Sequence, residues 1–469
     1  MSERPPHRPA TQGLEPLESV DALVLPTRPR MIRESVRMTI RGRSVRLRGL
    51  RRTPKGLLRW LFLLGPGIVA ASAGNDAGGI TTYASAGAKY GYDLIWVMLI
   101  ITVSLAVVQE MCARLGAATG RGLLDLIREQ FGIGWALFAV TVILIANGGL
   151  VISEFVGIGA AMEILGVSKY LAVPIGAALL WYLVIFSSYG WVERIFLLMT
   201  LAFFVYPVAV FMAHPQWSNV ARGAFIPKLQ KDSEYIFILV GLLGTTITPY
   251  MQLFQQSSLV EKGVARRHYG PERIDTYTGA IFSNLMSIFM IIATAATLHV
   301  IGKTEINSAA DAAVALEPVV GHAAGALFAV GLIGASLLAG AVLPLATAYA
   351  ISEAFGVPKG VNLDFRRARI FFAIFTALIV VGASVALIPN LPVVRLLLWV
   401  QVLNGILLPI ILVFILLLIN DKRLTGDLKN TRLYNVLGWG TCVMISLAVI
   451  TMLGTQLLDL FGIKFFGSG

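Results

Sequence analysis

Charged residues and cysteines are both scarce in this sequence of 469 residues. Only 14% of the residues are charged and 57% are hydrophobic, whereas a typical soluble domain carries about 25% charged residues. The two cysteines, Cys112 and Cys442, fall in or beside apolar segments, so they offer neither a disulfide framework nor a thiolate metal cluster. Walker, HExxH, CxxC and GxSxG motifs are absent as well. Thiol chemistry and ATP-driven work therefore have no support, and a polytopic membrane protein is predicted.

Apolar segments dominate the chain from residue 57 onward. A helix needs about 20 residues to cross a bilayer, and eleven segments are long enough. Their approximate limits are 58–88, 92–113, 134–163, 168–188, 195–213, 234–260, 274–301, 321–352, 368–388, 392–419 and 434–460. We therefore predict an all-α transmembrane domain over residues 57–460, after a disordered basic tail at 1–56 and before a short C-terminal tail at 461–469. No cleavable signal peptide is expected, because the first apolar run starts near residue 57.

Positive charge is concentrated before the first span. Residues 1–59 contain 14 of the 38 lysines and arginines. The positive-inside rule then predicts a plasma-membrane (cell inner membrane) protein with a cytoplasmic N-terminus. Eleven spans put the C-terminus on the extracellular or periplasmic side. The tail is expected to rest on anionic lipid rather than to bind nucleic acid or calmodulin, since it shows no sustained amphipathic helix.

The first span contains a carboxylate, Asp76, in an otherwise apolar stretch broken by Gly74, Gly78 and Gly79. A charged side chain at membrane depth is costly, and its presence there indicates a functional site. The glycines favour unwinding of the helix, which would let backbone carbonyls join the carboxylate around a cation. The alternative is that Asp76 pairs with a structural partner such as an arginine.

The sixth span contains a second expected break. Pro249 has no N–H and clashes with the preceding turn, so the helix should end just before it. Thr245, Thr246 and Thr248 could satisfy the freed backbone groups or face a polar cavity. Five spans separate the two breaks, so the second half of the domain should have inverted topology, which is typical of secondary transporters with a site at the membrane midplane. The alternative is an ordinary proline kink.

Three further polar side chains lie within apolar spans: Gln401 in span ten, Glu154 in span three and Glu110 in span two. Gln401 could be a ligand or could only bridge helices. Glu110 lies one helical turn before Arg114, a spacing that predicts a structural ion pair.

Motifs spread over residues 58–460 resemble those of the natural-resistance-associated macrophage protein (NRAMP) family of divalent metal transporters. The matching stretches are Gly65-Pro-Gly67, Asp76-Ala-Gly-Gly79, Ala86-Gly-Ala-Lys-Tyr-Gly-Tyr92, Leu94-Ile-Trp96, Gln109-Glu-Met-Cys-Ala-Arg-Leu-Gly116, Glu154-Phe-Val-Gly157, Gln401-Val402 and Leu408-Pro409. The resemblance implies a fold like that of the LeuT superfamily, with inverted five-helix repeats and breaks in helices one and six.

The departures from the family pattern lie at positions that the resemblance assigns to metal binding and proton coupling. Gly79 stands where the family has a metal-binding Asn, and Thr248-Pro249-Tyr250 replaces Met-Pro-His. The second family His falls at Gln255 or Gln256, and the Asp three residues before the family's Glu is Val151. The chain is thus similar to the NRAMP-related magnesium transporters.

These observations together predict an importer of Mg²⁺, and also of Mn²⁺, that works by alternating access without proton coupling. The expected metal site consists of Asp76 as charged ligand, the Thr245 carbonyl, Thr248 and Gln401, with Gly79 providing space. Oxygen donors suit hard cations, and Mg²⁺ keeps several waters in a roomy site. The metal is the transported substrate, no cofactor is expected, and the bilayer is the other partner. No oligomeric state is predicted.

Three alternatives stay open from the sequence. The first is a proton-coupled Mn²⁺/Fe²⁺ importer in which Glu154 carries the proton. The second is an intramembrane enzyme that uses Asp76 and Glu154 as acid and base. The third is a sodium-coupled carrier of an organic solute on the same scaffold.

Overall fold

The structure is a computed structural model, and it describes ten stretches of the chain: residues 37–40, 43–46, 74–186, 205–264, 266, 269–306, 309–313, 324–361, 363 and 365–461. Within the basic tail, Arg37–Ile40 (β1) and Arg43–Arg46 (β2) form an antiparallel two-stranded ribbon. The ribbon belongs to a unit at 1–55 that is separate from the unit at 56–469. The rest of the tail predicted to be disordered, and residues 462–469, lie outside the described residues.

All other regular elements are helical. The first half contains α1 (Ala77–Tyr90), α2 (Ile95–Thr119), α3 (Leu123–Phe131), α4 (Ile133–Ile164), α5 (Lys169–Phe186), α6 (Val205–Met212) and α7 (Trp217–Phe225). The second half contains α8 (Ser233–Thr246), α9 (Pro249–Glu261), α10 (Tyr269–Thr294, extended by a π-turn at Ala295–His299), α11 (Ala309–Ala313), α12 (Ala324–Phe355), α13 (Arg369–Ala386), α14 (Val393–Asn420), α15 (Lys422–Thr425) and α16 (Arg432–Leu460). The predicted all-α class is confirmed for the membrane unit.

Nine apolar helical stretches in the described part of the chain are long enough to cross a membrane. They coincide with nine of the eleven predicted spans. Helices α1 and α6 are the described parts of the other two, the first and the fifth, whose remaining residues lie outside the described stretches. The predicted span limits and the observed helix ends differ by at most six residues where both are described. The difference arises because an apolar run does not mark the residue at which a helix begins or ends.

The broken sixth span lies in the middle of the bundle. In its most apolar window 83% of the residues are buried, compared with 22% for α5. Helix α5 instead exposes large apolar side chains such as Leu171 and Tyr182, as expected for a helix that faces lipid. The sixth span is therefore shielded by other helices on nearly all sides.

The predicted break in the sixth span is present, and the described part of the first span is non-helical at the position predicted for the other break. Helix α8 ends at Thr246 and α9 begins at Pro249, a position where proline suits a helix start because its missing N–H would have no partner there. Residues 74–76 are not helical, and Asp76 is the N-cap of α1. The chain thus departs from helical geometry at two places among the apolar segments, as in a broken-helix transporter.

Helices α8 and α14 approach each other at two glycines. A Cβ atom on Gly244 would collide with the carbonyl oxygen of Gln401, and one on Gly405 would lie 2.7 Å from the carbonyl oxygen of Val240. Small residues allow such backbone contact in membranes. This crossing holds Gln401 beside the end of α8, where the chain breaks.

Candidate metal site

Asp76 is fully buried and lies at the start of α1. Its Oδ1 accepts a hydrogen bond from the backbone N–H of Gly79, as expected of an N-cap aspartate. The amide nitrogen of Gln401, from α14, donates to both carboxylate oxygens at 2.9 and 3.1 Å. The positive end of the α1 dipole stabilises the negative charge. The structure thus brings together two predicted site residues that are 325 positions apart in sequence.

Three oxygen atoms closely approach the position that a Cβ atom would take on Gly79. A Cβ atom on this glycine would lie 2.7 Å from the carbonyl oxygen of Gly74, 2.7 Å from Thr245 Oγ1 and 2.9 Å from Asp76 Oδ1. Thr245 Oγ1 also donates to the Gly74 carbonyl at 3.4 Å, so the two helix breaks touch. The absent side chain therefore leaves three oxygen atoms from both breaks around one point.

Thr248 lies at the break in the sixth span and is the N-cap of α9. Its side-chain oxygen is buried, and it has no hydrogen-bond partner among the residues that the structure describes. The same holds for Oε1 of Gln401. Most buried polar atoms in proteins are hydrogen-bonded. These two oxygens are therefore free to bind an ion or its water.

Glu154 is a second buried carboxylate beside the break. Its Oε2 accepts a hydrogen bond from the backbone N–H of Ala77 at 3.2 Å, and its Oε1 accepts one from Ser153 Oγ at 3.1 Å. Asp76 and Glu154 thus both accept from backbone N–H groups in the first turn of α1. The sequence singles out Glu154 but cannot place it here, because α4 and α1 meet only in the folded protein.

Asn75 anchors the first break to α10, a contact that the sequence did not predict. Its amide nitrogen donates to the carbonyl and hydroxyl oxygens of Ser283, both at 3.1 Å, and its Oδ1 accepts from Ser287 Oγ at 2.6 Å. Helices α1 and α8 also meet at the hydroxyls of Tyr83 and Thr246, which lie 2.9 Å apart. The available signal was an uncharged amide directly before Asp76 in an apolar span.

The groups described around Asp76 are oxygen atoms and the Gln401 amide. The carboxylates are the only charged groups among them. No lysine or arginine in the described part of the chain forms an ion pair with Asp76, so the alternative of a charge-neutralising partner is not realised there. The described residues also contain no cluster of three His, Cys, Asp or Glu side chains. Such a set suits a hard divalent cation that keeps part of its water shell.

The predicted ion pair in span two is confirmed and lies apart from the site. Arg114 Nη2 is 3.1 Å from Glu110 Oε2, and Tyr269 donates to Glu110 Oε1 at 2.8 Å. Arg114 Nη2 also donates to Asn430 Oδ1 at 2.5 Å. The ion pair lies within α2, and the contacts with Tyr269 and Asn430 join α2 to α10 and to the loop before α16, so the group has a structural role.

A cleft of about 940 Å³ opens at the other end of α1, where Tyr90, Asp93 and His299 are among its lining residues. Its carboxylates have partners: Asp93 pairs with Lys228 at 2.8 Å, and Tyr90 donates to Asp232 at 2.7 Å. Fourteen helical residues separate this end of α1 from Asp76, about 20 Å at 1.5 Å per residue. The cleft is therefore a feature of one face and is not continuous with the buried carboxylate.

Comparison with known proteins identifies the family of this chain and its relatives. The pattern of the family described as "Natural resistance-associated macrophage protein-like" matches residues 67–455. The chain is 28% identical to the "Divalent metal cation transporter MntH" of Klebsiella pneumoniae subsp. pneumoniae, over 85% of this chain and 95% of that one. Relatives of this kind are transporters whose metal is cargo, so the predictions that the chain is not an enzyme and needs no cofactor are confirmed.

Solved structures show the fold. A manganese transporter of Eremococcus coleocola superposes with a TM-score of 0.71 at 18% identity, covering 87% of this chain and 90% of that one. MhsT in complex with L-phenylalanine superposes with a TM-score of 0.58 at 11% identity, covering 86% and 99%. The predicted LeuT-like architecture is confirmed. Because the family pattern covers most of the sequence, this multi-pass membrane protein belongs to the natural-resistance-associated macrophage protein (NRAMP) family.

Proposed function

We propose that this protein is a secondary transporter of divalent metal cations that works by alternating access. Asp76, Gly79, Thr245, Thr248 and Gln401 are its substrate site in this proposal. The observation that carries it is the fully buried Asp76 carboxylate at a helix break, with the neutral oxygens of Gly74 and Thr245 beside the same point. Membership of the family and the metal-transporter names of its relatives support the same class of cargo.

Mg²⁺ is the cargo that we infer from the donor chemistry, with Mn²⁺ as a second substrate. Carboxylate, hydroxyl and carbonyl oxygens suit hard cations, whereas thioethers favour softer metals. Among the described residues, the hydrogen-bond partners of Asp76 and the three atoms nearest to the Cβ position of Gly79 include no sulfur. Mg²⁺ gives up its waters reluctantly, so a site with one charged ligand and several neutral oxygens can hold it partly hydrated.

Gln401 would change its orientation when the ion binds. Its amide nitrogen donates to Asp76, while its Oε1 has no partner among the described residues. A cation at Asp76 repels an N–H donor, and rotation of the amide would present Oε1 to the ion instead. The nitrogen would lose its contact with the carboxylate at the same time. Gln401 thus stabilises Asp76 when empty and binds the ion when loaded.

The membrane potential suffices to drive import in this proposal. An inside-negative potential is worth about 2.3 kcal/mol per charge for each 100 mV, so a divalent ion gains about 4.6 kcal/mol. Coupling to protons is then unnecessary. The gradient sets the direction, so an inside-negative potential favours import whichever way the carrier is oriented. The loop charges predict a cytoplasmic N-terminus and a C-terminus outside the cell membrane.

The proposed function is tested by Asp76→Asn in proteoliposomes loaded with a Mg²⁺- or Mn²⁺-sensitive dye. Uptake should fall to the level of protein-free liposomes, because the variant loses the negative charge of the proposed site. Asp421→Asn is the matched control, since Asp421 is also an N-cap aspartate, accepting from Arg423 N–H at 2.8 Å outside the spans. Uptake by Asp76→Asn equal to that of the control would reject the site.

A proton-coupled Mn²⁺/Fe²⁺ importer is the second candidate. The contact between Glu154 and the Ala77 N–H favours it, because it places a buried carboxylate one residue from the ion ligand. The Eremococcus coleocola protein, a manganese transporter with the same fold, agrees with such cargo. A pH-sensitive dye inside the liposomes separates the two: acidification during metal uptake supports coupling, and a constant internal pH supports uniport.

A further inference from the structure

Two buried amide side chains near the site make no hydrogen bond with the described residues. Both amide atoms of Gln252 in α9, and both of Asn404 in α14, lack a partner there, although neither residue has exposed surface. Leaving an amide unpaired in a protein interior is costly, so each such group calls for an explanation. Water or a hydrated ligand would satisfy all four atoms.

The two amides occupy corresponding positions beyond the site. Asn404 follows Gln401 by three residues and Gln252 follows Thr248 by four, which places them about 4.5 and 6 Å further along their helices. Helices α9 and α14 pack against each other. Both belong to even-numbered spans, so they run in the same direction through the membrane. Gln252 and Asn404 therefore both lie on the side of Asp76 that the charge pattern predicts to be cytoplasmic.

The chemistry of these groups fits a hydrated cation. Water bound to a divalent ion points its hydrogens outward, so the second layer must consist of hydrogen-bond acceptors. Gln252 Oε1 and Asn404 Oδ1 are acceptors without partners among the described residues. They follow the free oxygens of Thr248 and Gln401 along the same two helices. Neither amide carries charge, so neither can replace the water shell of Mg²⁺, which is released reluctantly. Contacts through water are nevertheless nearly as favourable as direct ones.

We propose that Gln252 and Asn404 form a neutral subsite that holds a hydrated divalent cation after it leaves Asp76 on the way into the cell. The subsite rests on the proposed transport function and adds a second position for the ion. Asp76 binds by charge, and the amide pair lowers the barrier for the step that follows. A charge at the second position would hold the ion there and slow its release.

Opposite changes at Asn404 test the subsite, with Mn²⁺ as the probe ion. Asn404→Leu removes the acceptor, so kcat for uptake into proteoliposomes should fall about tenfold, the effect of one lost hydrogen bond, while KM stays the same. Asn404→Asp adds a charge, so Mn²⁺ should bind about tenfold more tightly in calorimetry while kcat again falls. Gln252→Leu should likewise lower kcat about tenfold at unchanged KM. It replaces the Asn404 variants in the test if they do not fold.

Asn284→Leu is the matched control. Asn284 is a buried amide in α10 whose nitrogen donates to Thr102 at 3.0 Å and whose oxygen has no partner among the described residues. Its variant should leave kcat unchanged. A purely structural role predicts equal kcat in all folded variants and no tighter binding in Asn404→Asp, and that result would overturn the subsite. If the wild-type protein transports no Mn²⁺ or Mg²⁺ at all, the proposed function itself fails.

Discussion

Glu154 accepts a hydrogen bond from the backbone N–H of Ala77, the residue that follows Asp76. One peptide unit therefore connects the proposed ion ligand with a second buried carboxylate on another helix. Any movement of the α1 start on ion binding must change the surroundings of Glu154. This connection exists whether or not Glu154 carries a proton.

Glu154→Gln is expected to preserve transport if the protein works without proton coupling. Glutamine keeps an acceptor for the Ala77 N–H, so uptake of Mg²⁺ should stay within about twofold of wild type, a difference below about 0.5 kcal/mol. Glu154→Ala, which leaves that N–H without its acceptor, should reduce thermal stability by about 1–3 kcal/mol. The measurements are dye-based uptake and thermal unfolding in detergent. Loss of uptake in Glu154→Gln with intact folding would favour the proton-coupled alternative.

Gly79→Ala should abolish metal binding. The new Cβ would lie within 2.9 Å of three oxygen atoms, so the space at the junction of the breaks would be filled and its lining displaced. Overpacking of this kind costs about 1–3 kcal/mol. Gly148→Ala is the control, because a Cβ on Gly148 in α4 meets no atom within 4 Å. Calorimetric titration with Mn²⁺ should show binding for the control alone, and equal binding by both variants would contradict the role of Gly79.

Thr248→Met should shift the ion preference towards manganese. The substitution puts a thioether at a buried position that now carries a free hydroxyl, and soft ligands favour transition metals. We expect the ratio of Mn²⁺ to Mg²⁺ uptake to rise about tenfold, which corresponds to about 1.4 kcal/mol. Thr141→Met, at an exposed position of α4, controls for the added methionine. An unchanged ratio would count against direct contact between residue 248 and the ion.

Ser257→Ala should destabilise the protein more than Ser258→Ala. Ser257 Oγ donates at 2.7 Å to Glu353, a buried carboxylate at the end of α12 that also accepts from the Leu124 N–H at 3.1 Å. Among the described residues, the Ser258 hydroxyl donates only to a carbonyl of its own helix, that of Gln255, at 3.3 Å. Removing a hydrogen bond to a charged group costs about 1.5–3 kcal/mol, against about 1 kcal/mol for the neutral bond. Thermal unfolding of the two variants in the same detergent checks the order.

The sequence predicts those features of the fold that depend on local signals. Apolar run length marks the spans, and Pro249 stands at the start of α9, where a proline is tolerated because its missing N–H would have no partner there. A proline alone does not fix such a break, since α5, α12 and α14 continue through Pro174, Pro344 and Pro409. Asp76 stands out for a similar reason, since one carboxylate in an apolar span is informative by itself. The resemblance adds the fold, which the superpositions confirm.

Contacts between distant spans could not be predicted in the same way. The hydrogen bonds of Asn75 to Ser283 and Ser287 depend on which faces of α1 and α10 meet, and the 208 positions between Asn75 and Ser283 contain no signal for it. Thr245 was expected to contribute its carbonyl, whereas the contact that the structure records is the one from its hydroxyl to the Gly74 carbonyl. Which rotamer a buried threonine adopts depends on neighbours that are set only by tertiary packing.

The linker between α8 and α9 consists of only Ile247 and Thr248. Helix α8 is fixed to α14 by the Gly244–Gly405 crossing, whereas α9 is tied to α12 through Ser257. The two halves of the sixth span thus have different anchoring contacts, and the two-residue linker between them contains a proposed ligand. A rotation of one half relative to the other would act on the backbone torsions of Ile247 and Thr248, so ion binding at Thr248 and bending of the span would involve the same two residues.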